Sequence, residues 1–566
     1  MMRFNTKHKN LGASLLYVLL INLFFCAVAF AQGPRQILSS TPAANSVIAS
    51  ASDPITIEFD STVQLSQNYE NYVWITGNYY GYYLQPGNLT ADGYKIDLKN
   101  DGKTLVLSLP FETAFADGED IVVAIHPFFF ADQNDFVPVR LQFRVVTKAG
   151  IASTGFTTVN LQMDPIAVQP VKAVAANLDD DEFLELAIVS ATNSIISIFD
   201  NKDKVLENVF ADSILATSAL DAEKLLTPLD IAAADFDMDG NLDLVVPFRD
   251  SNTAILLWGS AGPSPNFSAA NVERIINVGI LPQAVKPVDY NSDGLMDLLV
   301  VARAENRVYI LENTAGSRSN TFTRVQKDLL ANEGPVIVTT GDFNADGYID
   351  FATANIARRD ISIFMQNTGG FGSAKVVQLP FRPLDIQALN MRVVPNPSQT
   401  EFLELAVLSS DVPYFGKANA NEIAGTQLTL FEWDDSGQTF VKYDSVQLQD
   451  QALSFDVADL NGDFRETDEV RDHLLDIALS SFRGNRIDYV FNDEGNIGEV
   501  REIKPIDSPL SIIAADLNQD GIEDLIYTGY YSGELVYLRS FGLPEKVLGH
   551  DFGDTFIDSC KELIRT

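Results

Sequence analysis

The sequence predicts an all-β protein, in which a β-propeller of seven blades with four strands each follows a two-sheet β-sandwich. Three observations lead to this prediction: one unit of sequence recurs from Pro170 onward, its apolar residues form short pieces separated by turn residues, and no helical periodicity is sustained. The 566 residues also exceed what one ordinary core accommodates. The net charge of −38 works against nucleic-acid binding, which needs a basic surface, and makes metal cations the natural counter-charge.

Residues 1–31 have the pattern of a secretory signal peptide. Basic residues precede the apolar stretch 15–25, and the Ala-Phe-Ala sequence at 29–31 suits cleavage before Gln32. An uncleaved membrane anchor is the alternative, but the apolar stretch is shorter than the ~20 residues that a membrane-spanning helix needs. We therefore expect a secreted, cell-surface or periplasmic protein that has no transmembrane segment after cleavage.

The repeated unit occurs seven times between residues 150 and 545. Each copy opens with Pro or Ala, and an acid or amide stands seven residues later. The pairs are Pro170/Asn177, Pro228/Asp235, Pro282/Asp289, Pro335/Asp342, Pro383/Asn390, Ala452/Asp459 and Pro509/Asp516. Each copy has room for four short strands, as in a propeller blade. A linear β-solenoid is the alternative, but by subtraction these copies start 48 to 69 residues apart, far more than one solenoid coil needs.

Ring closure is predicted from the segment just before the first repeat. Residues 155–164 precede Pro170 at the offset of a fourth strand, so we expect them to complete the last blade. Disulfides do not supply the closure, because Cys26 leaves with the signal peptide and Cys560 is then alone.

An acidic loop with the pattern D-x-[DN]-x-D-G-x-x-D directly follows the first strand of a blade. Four side chains with oxygen ligands within nine residues suit Ca²⁺, which binds six to eight oxygens, whereas Mg²⁺ prefers a smaller octahedron that keeps water. The glycine at position 6 permits the positive φ of a sharp turn. We expect the carbonyl of position 7 to face the ion and the acid at position 9 to complete its shell. The complete copies are Asp235, Asp237, Asp239, Asn241 and Asp243; Asp289, Asn291, Asp293, Leu295 and Asp297; Asp342, Asn344, Asp346, Tyr348 and Asp350; and Asp516, Asn518, Asp520, Ile522 and Asp524.

The other three copies are incomplete. In the first copy Glu182 replaces the glycine, and in the sixth an insertion separates the last acid from the others. The fifth keeps only Asn390 and Glu404 and is expected to lack an ion. The possible ligands of the two partial sites are Asn177, Asp179, Asp181 and Glu185, and Asp459, Asn461, Asp463 and Asp476. The sequence thus predicts four complete Ca²⁺ sites and up to two partial ones.

Three other kinds of structure share part of the acidic-loop pattern. An EF-hand would continue into a helix, whereas here position 9 runs into a β-rich segment. A dockerin-like module would contain only two copies. A plain hairpin turn, with no ion, gains weight only in the incomplete copies.

These repeats resemble the FG-GAP/VCBS class of seven-bladed propellers, which is related to the head of integrin α-subunits. The resemblance covers roughly residues 150–545 and depends mainly on the four complete acidic loops. It implies that the loops bind calcium on one face of the propeller. It also implies an extracellular platform for adhesion and recognition, which in some members is fused to an enzyme or acts as one.

Residues 36–147 lack acidic loops and contain about seven strand-like pieces, which suggests a two-sheet sandwich. The segment resembles bacterial Ig-like domains of surface proteins, which act as spacers or binding modules. The segment Tyr79–Tyr83 is rich in tyrosine; the side chains either stack on a sugar or protein partner or are buried against the propeller. Tyr72 and Trp74 are expected on one face of a strand, in the core. Residues 549–566 form a C-terminal tail.

The sequence gives no evidence for catalysis. After signal cleavage only His126, His473 and His550 remain, they are far apart, and no nucleophile motif accompanies them. We therefore expect a calcium-binding recognition protein whose partner is an extracellular protein or glycan. The alternatives are an enzyme that acts on polysaccharide in the propeller channel and a sugar-binding lectin without chemistry.

Overall fold

The computed structural model confirms the all-β prediction. It describes residues 37–48, 52–111, 113–132, 136–146, 157–161, 169–179, 181–191, 195–202, 205–207, 227–267, 272–275, 278–318, 322–325, 329–391, 402–411, 426–460, 475–493, 496–503 and 508–539. These residues form nine small sheets and no α-helix. Short 3-10 turns lie at Tyr69–Tyr72, Asn100–Gly102, Pro127–Phe129, Arg249–Ser251 and Arg303–Glu305. The predicted signal peptide, the C-terminal tail, His473 and both cysteines lie outside the described residues.

Two of the nine sheets form the N-terminal sandwich. One contains, in spatial order, β1 (Ile37–Thr41), β3 (Ile55–Phe59), β7 (Thr104–Ser108) and β6 (Lys95–Lys99). The other contains β2 (Ser46–Ile48), β9 (Val139–Val145), β8 (Asp120–Ile125), β4 (Val73–Gly77) and β5 (Gly81–Leu84), and only its β2–β9 pairing is parallel. Alternating residues of both sheets, such as Ile57, Leu107, Val123 and Phe143, share one buried apolar core.

The other seven sheets come from the repeats, one sheet for each copy. Their strands are β11 (Pro170–Ala176), β12 (Glu185–Ser190), β13 (Ile195–Lys202) and β14 (Val205–Glu207); β15 (Ala232–Ala234), β16 (Asp243–Phe248), β17 (Thr253–Leu257) and β18 (Val272–Ile275); β19 (Pro282–Val288), β20 (Asp297–Ala302), β21 (Arg307–Asn313), β22 (Phe322–Arg324) and β23 (Leu329–Leu330); β24 (Pro335–Gly341), β25 (Asp350–Asn355), β26 (Asp360–Phe364) and β27 (Lys375–Gln378); β28 (Pro383–Leu389), β29 (Glu404–Ser410), β30 (Thr426–Asp434) and β31 (Thr439–Gln447); β32 (Ala452–Ala458), β33 (Asp476–Ser481), β34 (Arg486–Asp493) and β35 (Asn496–Ile503); and β36 (Pro509–Ala515), β37 (Asp524–Gly529), β38 (Glu534–Arg539) and β10 (Thr157–Leu161).

The repeat sheets close on one another in a ring. The first strand of each sheet contacts the first strand of the next, and β36 of the last sheet contacts β11 of the first. Seven apolar clusters each join two adjacent sheets, including the last and the first. Strand β10, from the segment 155–164, pairs antiparallel with β38, as predicted. This pairing ties the start of the repeat region to its end.

Aspartates on the first strands, or in the case of Asp230 just before one, connect neighbouring sheets where the strands themselves do not pair. Asp230 accepts a hydrogen bond from the N–H of Val285 at 2.9 Å. Asp385 and Asp456 do the same for the N–H groups of Phe455 and Ala514, at 3.1 and 2.9 Å. Each bond satisfies a backbone donor of the next sheet that would otherwise be buried without a partner.

The sandwich covers the ring on the side of the acidic loops. Its β4, β8 and β9 and the first strands of the repeat sheets enclose a cavity of about 480 Å³ along the ring axis. Among the described residues, no helix has the length and apolarity to cross a membrane.

Candidate cation-binding loops and the domain junction

The four complete acidic loops share one conformation. The carboxylate at position 1 accepts hydrogen bonds from the N–H of position 5, at 3.0–3.2 Å, and from that of the position-6 glycine, at 2.6–3.1 Å. The acid at position 5 accepts the N–H of position 7 at 2.9–3.0 Å. The glycines have φ between +81° and +89°. The acidic side chains therefore turn into the loop, as the ion-binding prediction requires.

Two loops bring three carboxylates together closely enough to hold an ion. Ligand oxygens of Asp235, Asp237 and Asp239 in the second loop lie within 4.8 Å of one another. The same holds in the first loop for Asp179, Asp181 and Glu185. There, Oδ2 of Asp179 and Oε1 of Glu185 are buried and accept no hydrogen bond. Buried oxygens without a donor fit a cation, so the residues of the first loop suit Ca²⁺ although Glu182 replaces the glycine.

The surroundings of the loop acids disfavour their ionised forms. Burial, reinforced by neighbouring carboxylates, raises the pKa of Asp235, Asp289 and Asp342 to about 7. The same causes raise the pKa of Asp297 and Asp350, at position 9, to about 9. A bound divalent cation would favour the ionised forms.

The acid at position 9 has a second role that the sequence did not reveal. In the second loop, Oδ2 of Asp243 accepts the N–H of Phe236 at 2.9 Å, and its Oδ1 accepts the N–H of Gly259 at 2.8 Å. The corresponding acids Asp297, Asp350 and Asp476 make the same pair of bonds. Each acid thereby ties the loop to the third strand of its sheet, with or without an ion.

This second role explains why the fifth loop keeps an acid. Glu404 accepts the N–H of Met391 at 2.9 Å, while the other acidic positions have been lost from the sequence. Asn390, the other residue of this copy that matches the pattern, donates to the carbonyl of Asn45 in the sandwich. In the sixth loop Asp459 and Asp476 are buried, whereas Asn461 and Asp463 lie outside the described residues.

The second loop also has a protein cation next to its acids. The guanidinium of Arg318 donates to Asp237 and Asp239, and its Nη2 also donates to the carbonyl of Gly259 at 2.7 Å. A metal ion bound by these two acids would have to displace Arg318. The described residues place no arginine or lysine in hydrogen-bond contact with the acids of the third and fourth loops.

The tyrosine-rich hairpin of the sandwich is buried against the ring. The hydroxyls of Tyr79 and Tyr80 donate to the carbonyls of Ala514 and Glu182, at 3.2 and 2.5 Å, and that of Tyr82 donates to the carbonyl of Gly294. Of the two interpretations of Tyr79–Tyr83, the structure thus agrees with burial against the propeller.

Tyr72 and Trp74 agree only in part with the sequence prediction. Tyr72 packs against the sandwich core, but from the end of a 3-10 turn rather than from a strand. Trp74 is buried, but outside that core. Its indole lies over Gly294, 3.5 Å from the position of an added Cβ. The alternation of residues could not indicate this, because both faces of β4 are buried, one of them by the other domain.

A buried ion pair also crosses the junction. Arg144 of β9 contacts Glu523 at 2.5 Å, and the exposed fractions of their side chains are 12% and 0%. Burial raises the pKa of Glu523 to about 7 even with Arg144 beside it. Glu523 is position 8 of the seventh acidic loop, so this pair joins the sandwich directly to a loop.

Two glycine substitutions separate the energy of the contact between the sandwich and a loop from the backbone strain of the loop itself. Gly347 and Gly240 both occupy position 6, with φ of +88° and +89°. A Cβ on Gly347 would lie 2.0 Å from the carbonyl oxygen of Pro138 in the sandwich, whereas one on Gly240 meets nothing within 4 Å. We expect Gly240→Ala to cost about 1 kcal/mol of unfolding free energy and Gly347→Ala roughly 2 kcal/mol more, measured by urea denaturation. Equal losses would contradict the contact between Pro138 and the fourth loop.

Glu119 in the sandwich should give stability a measurable dependence on pH. Its Oε1 accepts the N–H groups of Tyr79 and Tyr80 at 2.9 and 3.1 Å, and burial raises its pKa to about 7. Because the folded state favours the protonated acid, stability from this group declines as the pH rises from 4.5 to 7. Relative to Glu119→Gln, the wild-type protein should lose on the order of 3 kcal/mol between pH 4.5 and 8.

The measurement for Glu119 is the unfolding free energy of both proteins at several pH values. The exposed Glu58→Gln variant is the control and should follow the wild-type curve. Parallel curves for the wild type and Glu119→Gln would show that Glu119 does not titrate in this range.

Comparison with known proteins identifies the repeat. Residues 289–353 match the family described as FG-GAP-like repeat. No curated protein matches the chain. Together with the ring of repeat sheets, this match supports a repeat β-propeller.

Similar solved structures include BBS1N in complex with ARL6DN, with 11% identity, a TM-score of 0.43 and coverage of 69% of this chain and 99% of that one. An auxiliary nutrient binding protein from Bacteroides ovatus ATCC 8483 has 11% identity, a TM-score of 0.33 and coverage of 90% and 99%. A protein from Lactobacillus plantarum has 10% identity, a TM-score of 0.35 and coverage of 65% and 94%. At such values, function has to be argued from the residues of this chain.

Proposed function

We propose that this chain is a seven-bladed propeller with an Ig-like sandwich on its acidic-loop face, and that it serves outside the cell as a calcium-stabilised platform for recognising a protein or glycan. The observation that carries the proposal is the shared inward conformation of the acidic loops. It recurs in loops far apart in sequence, in a ring whose repeat matches the FG-GAP type. The acids at position 9 also bind backbone N–H groups, but the clustering of further acids beside them in one tight loop is best explained by a cation that neutralises them.

Calcium has a structural role in this proposal. The ion would be held by the acids at positions 1, 5 and 9, the acid or amide at position 3 and the carbonyl of position 7, and it would supply positive charge to the loops, in the second loop in place of Arg318. The chain's own residues fix the loop, since backbone N–H groups orient each acid before any ion arrives. Four ions in the complete loops, and up to two in the first and sixth, would stiffen the face on which the sandwich lies.

Two other functions fit the junction less well. An enzyme acting on polysaccharide in the channel would need an open mouth and free acids, but the sandwich covers one end and Asp230, Asp385 and Asp456 are bound to backbone N–H groups. A lectin using the tyrosine hairpin would need accessible hydroxyls, and those of Tyr79, Tyr80 and Tyr82 bind the ring.

The test first measures how many calcium ions each chain binds, and then whether the calcium-loaded protein binds a partner. Calorimetric titration of the metal-free protein should give at least four ions per chain; Asp289→Asn should lower the number by one, and Asp97→Asn, an exposed acid of β6, should leave it unchanged. The loaded protein should then retain a protein or glycan from the cell exterior, and release it on chelation. Fewer than two calcium ions per chain, or partner binding that chelation does not change, would refute the proposed function.

A further inference from the structure

The axial cavity between the sandwich and the ring contains two lysines that are not accounted for by the fold. Lys172 lies on β11 and Lys286 on β19, and both line the cavity. Neither makes a hydrogen bond or ion pair with any residue that the structure describes. Lys286 is exposed, yet protein surrounds the cavity that it faces, and this burial lowers its pKa. Two ammonium groups that pair with no oxygen of the described residues therefore line the cavity and can donate to a ligand that carries negative charge.

Three acids of the cavity wall, unlike the lysines, already have hydrogen-bond partners. Asp230, Asp385 and Asp456 each accept two backbone N–H groups, one from the next residue and one from the adjacent sheet. They act on the lysines over a longer distance, without direct contact. The capacity for hydrogen bonding that remains unused in the cavity therefore belongs mainly to donors, the two ammonium groups.

The remaining charges at the sandwich end of the cavity already have partners. Arg144 is paired with Glu523 and also contacts Asp120 at 3.3 Å. Arg140 is attracted by Asp289 and Asp342 of the third and fourth loops, although its Nε is buried without a hydrogen-bond partner. Among the described residues, Lys172 and Lys286 are therefore the cations of the cavity that make neither a hydrogen bond nor an ion pair, and Arg140 keeps one unused donor beside them.

We propose that the axial cavity is a binding site for a small carboxylate ligand, held by Lys172 and Lys286. Unused ammonium donors select an acceptor that carries negative charge, and a carboxylate offers two oxygens to two donors. A volume of about 480 Å³ is in the range of small-molecule sites. Apolar residues of the wall, including Val174, Ile337 and Ile513, would contact the body of the ligand. Lys172 and Lys286 lie outside the acidic loops, although Asp235 and Asp289 of the second and third loops also line the cavity, and the proposed role of the lysines does not require calcium binding by those acids.

The experiment is a calorimetric titration of the full calcium-loaded chain with succinate and with D-glucuronate, at constant ionic strength. These probes distinguish a dicarboxylic acid from an acidic sugar, and glucose is the neutral control for glucuronate. We expect the wild type to bind at least one carboxylate and to bind glucose at least 10-fold more weakly. Lys172→Met and Lys286→Met should each weaken binding at least 10-fold.

Two further variants separate a binding role from a structural one. Lys286→Arg keeps the charge and should bind within about 3-fold of the wild type, while Lys442→Met, at an exposed lysine of β31, should bind like the wild type. If the lysines serve only as counter-charges to the cavity acids, the Met variants will lower the melting midpoint without changing carboxylate binding. That result, equal binding of glucose, or no binding of either carboxylate by the wild type would overturn the proposal.

Discussion

Replacement of Arg144 by alanine is expected to cost roughly 3–5 kcal/mol of unfolding free energy and to uncouple the sandwich from the ring. The variant leaves Glu523 fully buried without its cation, and the exposed fraction of that side chain is 0%. Proton uptake by Glu523 would relieve part of the cost, so the effect should be larger at pH 8 than at pH 6. Calorimetry should show one unfolding transition in the wild type and two in Arg144→Ala.

The double variant Arg144→Met/Glu523→Gln is the decisive control. Glutamine keeps an acceptor for the N–H of Asp459, which Glu523 binds at 3.3 Å, and methionine keeps much of the volume of the arginine stem. With both charges of the buried pair removed, and only the partly exposed Asp120 left without its arginine, the double variant should recover at least half of the loss. A loss below about 1 kcal/mol in Arg144→Ala would mean that the pair is not buried in solution.

The repeat sheets could be predicted from the sequence because their signals are local. In all seven repeats the acid at position 9 is the first residue of the second strand, from Glu185 in β12 to Asp524 in β37. In five of them the anchoring proline is the first residue of the first strand. A proline without an N–H suits a strand start, and an acid that accepts two backbone N–H groups suits the point where a loop returns to the sheet.

The junction could not be predicted, because its contacts join residues far apart in sequence. The hydroxyl of Tyr82 and the carbonyl of Gly294 are 212 residues apart, and Arg144 and Glu523 are 379 apart. A tyrosine-rich hairpin looks the same in sequence whether it meets a sugar or a protein domain. Only the fold shows that the acidic loops point to the same side as this hairpin.

Contacts between neighbouring sheets were also missing from the sequence prediction. Asn252 and Asn306 end the turn between the second and third strands with φ of +51° and +54°. Their side-chain oxygens accept the N–H groups of Leu281 and Gly334 at the start of the next repeat, both at 2.9 Å. Asparagine in a turn is common, so its sequence signal does not distinguish such a bond from an ordinary turn.

Removal of calcium is expected to destabilise both domains, because one residue of the third loop bonds both to a loop acid and to the sandwich. The N–H of Gly294 donates to Asp289 in the third loop, while the carbonyl of Gly294 accepts the hydroxyl of Tyr82. Without an ion, repulsion among the loop acids would shift this residue and weaken the contact with the sandwich. Four sites, each saturated 100-fold above its Kd, would contribute on the order of 10 kcal/mol, so chelation should lower the melting midpoint by roughly 10 °C or more.

The link between ion and sandwich can be tested in both directions, since coupling between two binding events is reciprocal. Chelation should increase the radius of gyration in small-angle scattering as the sandwich leaves the ring. Conversely, Tyr82→Phe removes one hydroxyl from the junction without changing an acid. It should weaken calcium binding in the third loop. Binding in the seventh loop, which Tyr82 does not contact, should not change. The contrary result is that chelation lowers the melting midpoint without changing the radius of gyration, while Tyr82→Phe leaves the calcium affinity unchanged. Those results would mean that the ions stabilise the ring alone. The sandwich would then be held by Arg144 and by the apolar contacts around Trp74.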